Sequence, residues 1–193
     1  MPFFIGFEKG KTGARELVVI AVMTAISVVG RLIFAPVPGF KPVTAVVIIT
    51  SIAYGMQAGF LTGALSAIVS NIFYGQGPWT PFQMFVWGFL GLLAGLVFTS
   101  GKKPNAVALI VVGVIGGVLF SAMMDIWSVL NLDGAWNWPR YLALLVSGLP
   151  FMAIYAVSNL VFLLLLTKPF LQKLNRVKDK YGLFARRENG VKR

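Results

Sequence analysis

Apolar residues run along this chain in six long stretches, separated by short breaks rich in glycine, proline and charge. They predict helices at Glu16 to Ala35, Val43 to Tyr54, Gln57 to Phe73, Pro81 to Ser100, Pro104 to Leu130 and Pro139 to Leu166. A bilayer core of about 30 Å takes roughly 20 apolar residues in a helix, so the pattern predicts an all-α integral membrane protein, a bundle of six transmembrane helices. The second stretch is short for a crossing. It spans with help from its neighbours, or it is continuous with the third around Gly55.

Composition agrees with a membrane class. Apolar residues make up 58% of the 193 positions and charged residues 12%, where soluble domains carry about 25% charged. The chain reads as one transmembrane domain: a cytoplasmic tail over 1–15, the bundle over 16–166 and a basic cytoplasmic tail over 167–193. The first apolar run follows Lys9, Lys11 and Arg15 and is too long for a signal-peptide core, so it is expected to remain as the first span.

The net charge of +11 raises nucleic acid as a partner, but the cations lie in the tails and one turn rather than on a basic face with interleaved aromatics. With six spans, fourteen Lys and Arg fall on one side: Lys9, Lys11, Arg15, Lys102, Lys103 and nine from Lys168 to Arg193. Arg31, Lys41 and Arg140 are left on the other. The positive-inside rule then places both termini in the cytoplasm.

Cysteine and histidine are absent, which removes thiolate nucleophiles, imidazole bases and the usual zinc ligands. Between the first and last spans the only carboxylates are Asp125 and Asp133. A membrane enzyme is therefore the weakest reading.

The topology converts sequence position into depth. Asn71 falls in the last turn of the third span, Gln83 in the first turn of the fourth, and Trp87 four residues deeper on the same face. Asp125 lies about a turn and a half below the outer end of the fifth span, with Trp127 nearer the surface. A carboxylate at that depth costs about 2.5–3.5 kcal/mol in lipid even on a lenient scale. Asp125 therefore either pairs with Arg31 or Arg140 as a packing device, or faces a ligand.

The outer loops add Gln76 and Trp79 in Gly75-Gln-Gly-Pro-Trp-Thr-Pro81, and Asn131, Trp136 and Asn137 in Asn131-Leu-Asp-Gly-Ala-Trp-Asn-Trp-Pro139. Tryptophans mark membrane interfaces in general, but here they cluster on one side, as an aromatic-lined site would have them. The loop from Ala35 to Lys41 and Gly30-Arg31 would close the remaining wall.

Small residues recur at four-residue spacing in Ala21-Val-Met-Thr-Ala25, in Gly59, Gly63 and Ala67, and among the glycines of spans four and five. Such faces allow close helix approach, for internal packing or for a partner. Beyond Thr167, apolar and basic residues alternate, as in a short helix on an anionic leaflet or a solvated tail.

Taken together, the chain resembles the substrate-binding S component of energy-coupling factor (ECF) vitamin transporters. The resemblance runs through all six spans and is most specific over Asn71-Ile-Phe-Tyr-Gly-Gln-Gly-Pro-Trp-Thr-Pro-Phe-Gln-Met84 followed by Trp87-Gly88. It lies nearest to cobalamin-type members. The resemblance implies a multi-pass protein of the bacterial plasma membrane that captures a vitamin at an outward-facing pocket. It would dock through Ala21 and Ala25 on a transmembrane coupling subunit that carries two cytoplasmic ATPases.

No permanent cofactor is implied, and ATP is used by the partners only; the chain has no phosphate loop of its own. Thiamine, pantothenate, folate and queuosine-precursor ligands stay open beside cobalamin. Two competing classes are an ion-coupled carrier that uses Asp125 and a membrane scaffold without a ligand.

Overall fold

Helices with small-residue faces can approach until their backbones touch, and this rule builds most of the bundle. The structure, a computed structural model, describes residues 14–98 and 104–183. The expected N-terminal tail, the Lys102-Lys103 turn and the tail beyond Leu183 lie outside the described residues.

Among the described residues six helices follow in order: α1 (Ala14–Ile33), α2 (Val43–Tyr54), α3 (Met56–Tyr74), α4 (Trp79–Val97), α5 (Ala106–Asp133) and α6 (Trp138–Tyr181). All but α2 are long and apolar enough to cross a membrane. No strand occurs among the described residues.

The glycines of α3 and α4 mesh with one another. A Cβ added at Gly91 would sit 2.5 Å from the Gly59 backbone, and one at Gly63 would sit 2.8 Å from the Gly88 amide nitrogen. A second pair is built the same way, with a Cβ at Gly117 of α5 falling 2.6 Å from the Ala156 nitrogen of α6. Asn159 locks that pair by donating from Nδ2 to the Gly113 carbonyl at 3.0 Å. These small-residue faces thus serve internal packing.

Between the two pairs lies α2, all twelve of whose residues are buried. Gly55 ends it at a φ of 88°, a left-handed value open to glycine at no steric cost, and the chain folds straight back into α3. Ser51 of α2 lies against Gly59 of α3, whereas in a continuous helix those positions would be about 12 Å apart. The expected alternative of one helix running through Gly55 is therefore replaced by a helical hairpin. Ser51 also donates to the Gly91 carbonyl at 2.7 Å, tying α2 to α4.

The last helix departs most from expectation. Instead of ending at Leu166, α6 continues through Pro169 for 44 residues, roughly 66 Å at 1.5 Å per residue. Leu171, Leu174 and Val177 pack back on the core, and the Tyr54 hydroxyl donates to the Leu174 carbonyl at 3.0 Å. The apolar side of the expected surface helix is thus taken up by the bundle, while Lys173, Arg176 and Lys180 stay exposed.

Candidate functional site

The end of the bundle where α1 stops and α2, α4 and α6 begin gathers most of the buried polar side chains. Arg31, in the last turn of α1, is only 8% exposed. Its Nη1 donates to Asn71 Oδ1 at 2.9 Å and to Ser70 Oγ. Asn71 passes the chain on, with Nδ2 donating to Gln83 Oε1 at 2.9 Å and to Thr80 Oγ1 at 3.0 Å. Because its oxygen is already engaged, Gln83 keeps its NH₂ group to donate elsewhere.

Aromatic rings hold the guanidinium in place. Its carbon lies 4.5 Å from the Tyr74 ring centroid and 5.1 Å from that of Trp87. The Tyr74 hydroxyl donates to the Arg31 carbonyl at 2.7 Å.

Arg31, Gln83 and Trp87 of this network border a cavity of about 300 Å³. Arg31, Lys41 and Gln83 line one side, and Ser121, Asp125 and Gly148 also face it. Trp87 stacks on Phe120 at 5.1 Å, and Phe120 meets Tyr155 edge-on at 5.3 Å, so three rings form an aromatic wall. Val43 and Thr44 contribute from the start of α2, and Phe151 and Asn159 from α6. Asp125 Oδ2 is buried and has no hydrogen-bond partner among the described residues.

The expected arginine partner of Asp125 is absent for a geometric reason. α5 runs to Asp133, past the expected end at Leu130, so Asp125 lies eight residues, or about 12 Å, below its end. Arg140 instead meets Asp133 at 2.7 Å, and the Arg31 guanidinium is turned toward α3. The packing-device reading of Asp125 loses its pair, and a cavity-lining carboxylate with one unpartnered oxygen remains.

The structure divides the other sequence-predicted residues. Arg31, Gln83, Trp87 and Asp125 line the cavity, with Asn71 bracing them from behind. Trp127 does not join them. Two positions along a helix point to different faces, and its ring lies 6.2 Å from Phe82.

Trp79 is the first residue of α4 rather than a loop residue; it folds against Gly77 and is 41% exposed. Trp136 packs on Trp138 and Tyr141 at 5.0 Å in an exposed cluster, as interface anchors do. Gln76 is exposed and donates to the Ile68 carbonyl, Asn131 is exposed, and Asn137 caps α6 by accepting from the Arg140 amide.

Sequence reasoning did not pick out Thr44, Phe120, Ser121, Tyr155 or Asn159. A signal was present: Gly148, Phe151, Tyr155 and Asn159 recur at helical spacing, with an amide in an otherwise apolar run.

Lys41 enters from the loop after α1, which Ser158 pins. The Lys41 amide donates to Ser158 Oγ at 2.9 Å, and that hydroxyl donates to the Lys41 carbonyl at 3.0 Å. Burial, and then repulsion from Arg31, hold the Lys41 ammonium below the usual lysine range. The folded protein therefore gives up this proton at lower pH than the unfolded chain. Between those two values the unfolded state binds more protons, so stability rises with pH across the window. Thermal midpoints measured from neutral pH to about pH 10 should show this alkaline gain in the native protein, and Lys41→Met should flatten it.

The long apolar helices define a multi-pass membrane protein with a polar and aromatic cavity near one end of its bundle. Residues 11–176 match the family model for the ECF-type riboflavin transporter, S component, and the chain belongs to that family. The match places it with ECF S components as a family, without singling out the cobalamin-type members.

Relatives include a UPF0397 protein of Aliivibrio salmonicida, 33% identical over 50% of this chain and 55% of the relative. UPF0397 proteins of Aliivibrio fischeri and Vibrio atlanticus are each 34% identical over 43% of this chain and 48% of theirs. The chain spans about half the length of these curated relatives. No solved structure matches the chain.

Proposed function

We propose that the protein captures a flat, vitamin-sized ring at the Arg31 end of the bundle and delivers it to an ECF coupling subunit with two ATPase subunits. The observation that carries this reading is the aromatic wall of Trp87, Phe120 and Tyr155 beside a cavity edged by Arg31, Gln83 and Asp125, whose carboxylate keeps one oxygen unpartnered among the described residues. A ring stacks on such a wall. Its edge must then offer acceptors to Arg31 and Gln83 and an N–H or O–H to Asp125. Riboflavin, named in the family description, has a planar ring with an acceptor–donor–acceptor edge and a chain of hydroxyls. The corrin of cobalamin is far larger than a cavity of about 300 Å³, so the volume favours the smaller ring. In this reading the chain crosses the membrane six times, both termini are cytoplasmic and the cavity opens outward.

Titrating riboflavin into the detergent-purified protein should quench tryptophan fluorescence at one ligand per chain. Trp87→Ala should weaken affinity about tenfold or more, tenfold being 1.4 kcal/mol. Retention of cobalamin without riboflavin would overturn the substrate, and unchanged affinity in the variant would remove Trp87 from the site.

Ala21 and Ala25 lie exposed on one face of α1 with Val18, Val22 and Val29, open to a partner helix. Ala25→Trp should abolish transport by the assembled complex and leave ligand affinity within about twofold, since association through small residues depends on close approach. The unpartnered Asp125 also suits an ion-coupled carrier, which predicts uptake by the isolated chain in vesicles without any ATPase.

A further inference from the structure

A second cavity, about 400 Å³ in volume, opens at the opposite end of the bundle, between the start of α5 and the C-terminal half of α6. Ile52, Leu109, Leu163 and Leu171 give it an apolar half, and Thr167, Lys168, Gln172 and Asn175 a polar one. We propose that it binds an anionic phospholipid, with the phosphate at Thr167 and Lys168 and an acyl chain along the leucines.

Three observations converge on this ligand. Thr167 is 4% exposed, yet its Oγ1 has no hydrogen-bond partner among the described residues. A helical threonine can satisfy itself on the carbonyl one turn back; this one does not, and Thr167 lies in the cavity wall. The first turn of α5 also borders the cavity through Pro104 and Ala106. There the Asn105 side chain satisfies only the Val107 amide, and the remaining first-turn amides carry the positive end of the helix dipole. Finally, Lys168 directly follows Leu163–Leu166 and Thr167, at the level where apolar sequence gives way to basic.

A soluble phosphate would use the polar half alone. A phospholipid fills both, and the cavity is continuous with the membrane through Leu164, which lines it and is 48% exposed.

Native mass spectrometry of the delipidated full-length protein tests the proposal, with phosphatidylglycerol and phosphatidylcholine of identical acyl chains as probes. Phosphatidylglycerol should be retained about fivefold more than phosphatidylcholine. Thr167→Val and Lys168→Gln should each lower its retention by a similar factor, while excess inorganic phosphate leaves it in place. Riboflavin quenching in the same samples, unchanged by either substitution, checks that the variants are folded and reports separately on the site at the other end. Equal retention of the two lipids, insensitivity to both substitutions or displacement by inorganic phosphate would each overturn the assignment.

Discussion

Gly91→Val is expected to abolish folded protein. A Cβ at this position would meet the Gly59 carbonyl carbon and oxygen at 2.5 Å and the Phe60 nitrogen at 2.9 Å. All of these atoms are backbone, so no side chain can swing aside. The helices would have to separate, breaking the bond from Ser51 to the Gly91 carbonyl and opening the apposition on which Ala67, Val86 and Ala94 depend for their burial. Overpacking against rigid backbone, with loss of a buried hydrogen bond, costs upward of about 4 kcal/mol, a large part of the 5–15 kcal/mol that holds a typical domain together. Gly148→Ala makes the contrast: its Cβ would lie 3.7 Å from Asp125 Oδ2 and 3.9 Å from Ser121 Oγ, ordinary contacts. Size-exclusion profiles and thermal midpoints in detergent should show aggregation for the first variant and a native-like species for the second. A native-like Gly91→Val protein would contradict the backbone apposition of α3 and α4.

Arg31→Met should cost about a hundredfold in ligand affinity, equivalent to about 2.7 kcal/mol. The substitution keeps much of the side-chain bulk but leaves Asn71 Oδ1 without its charged donor at a site that is 1% exposed. Asn71 then no longer fixes Gln83, and two cavity contacts fail together. Arg31→Lys separates charge from geometry: an ammonium keeps the charge but not the planar fork that reaches Ser70 and Asn71 while lying between two rings. An intermediate loss for lysine and a full loss for methionine would be the signature of a positioned guanidinium. Unchanged affinity in both would reduce Arg31 to a prop between helices.

Much of the fold could be read from hydropathy because lipid sorts helices by apolar length, and α2 through α5 begin and end within a few residues of the expected positions. The failures have physical causes. Hydropathy reports where a helix faces lipid, not where it stops, so α6 runs on past Leu166 in place of the expected separate surface helix or tail: Leu171, Leu174 and Val177 bury themselves on protein rather than in the bilayer. At the site, Arg31, Asn71, Gln83 and Asp125 stood out as polar groups where lipid would not tolerate them. Tyr155 and Phe120 did not, since aromatic residues belong equally to cores, interfaces and pockets, and only packing distinguishes Phe120 against Trp87 from Trp136 against Trp138.

The burial of α2 on every side carries a consequence for how the protein responds to its lipid. Hydrophobic mismatch acts on helices that face acyl chains, which tilt or draw the bilayer to themselves when its thickness changes. A helix with all twelve residues enclosed by protein has no acyl-chain contact through which such a force is applied. Because α2 supplies Val43 and Thr44 to the cavity, that part of the site keeps its depth as the outer helices adjust. The arrangement shields the α2 edge of the cavity from membrane thickness, while the edges carried by Arg31, Trp87 and Asp125 ride on helices that face lipid.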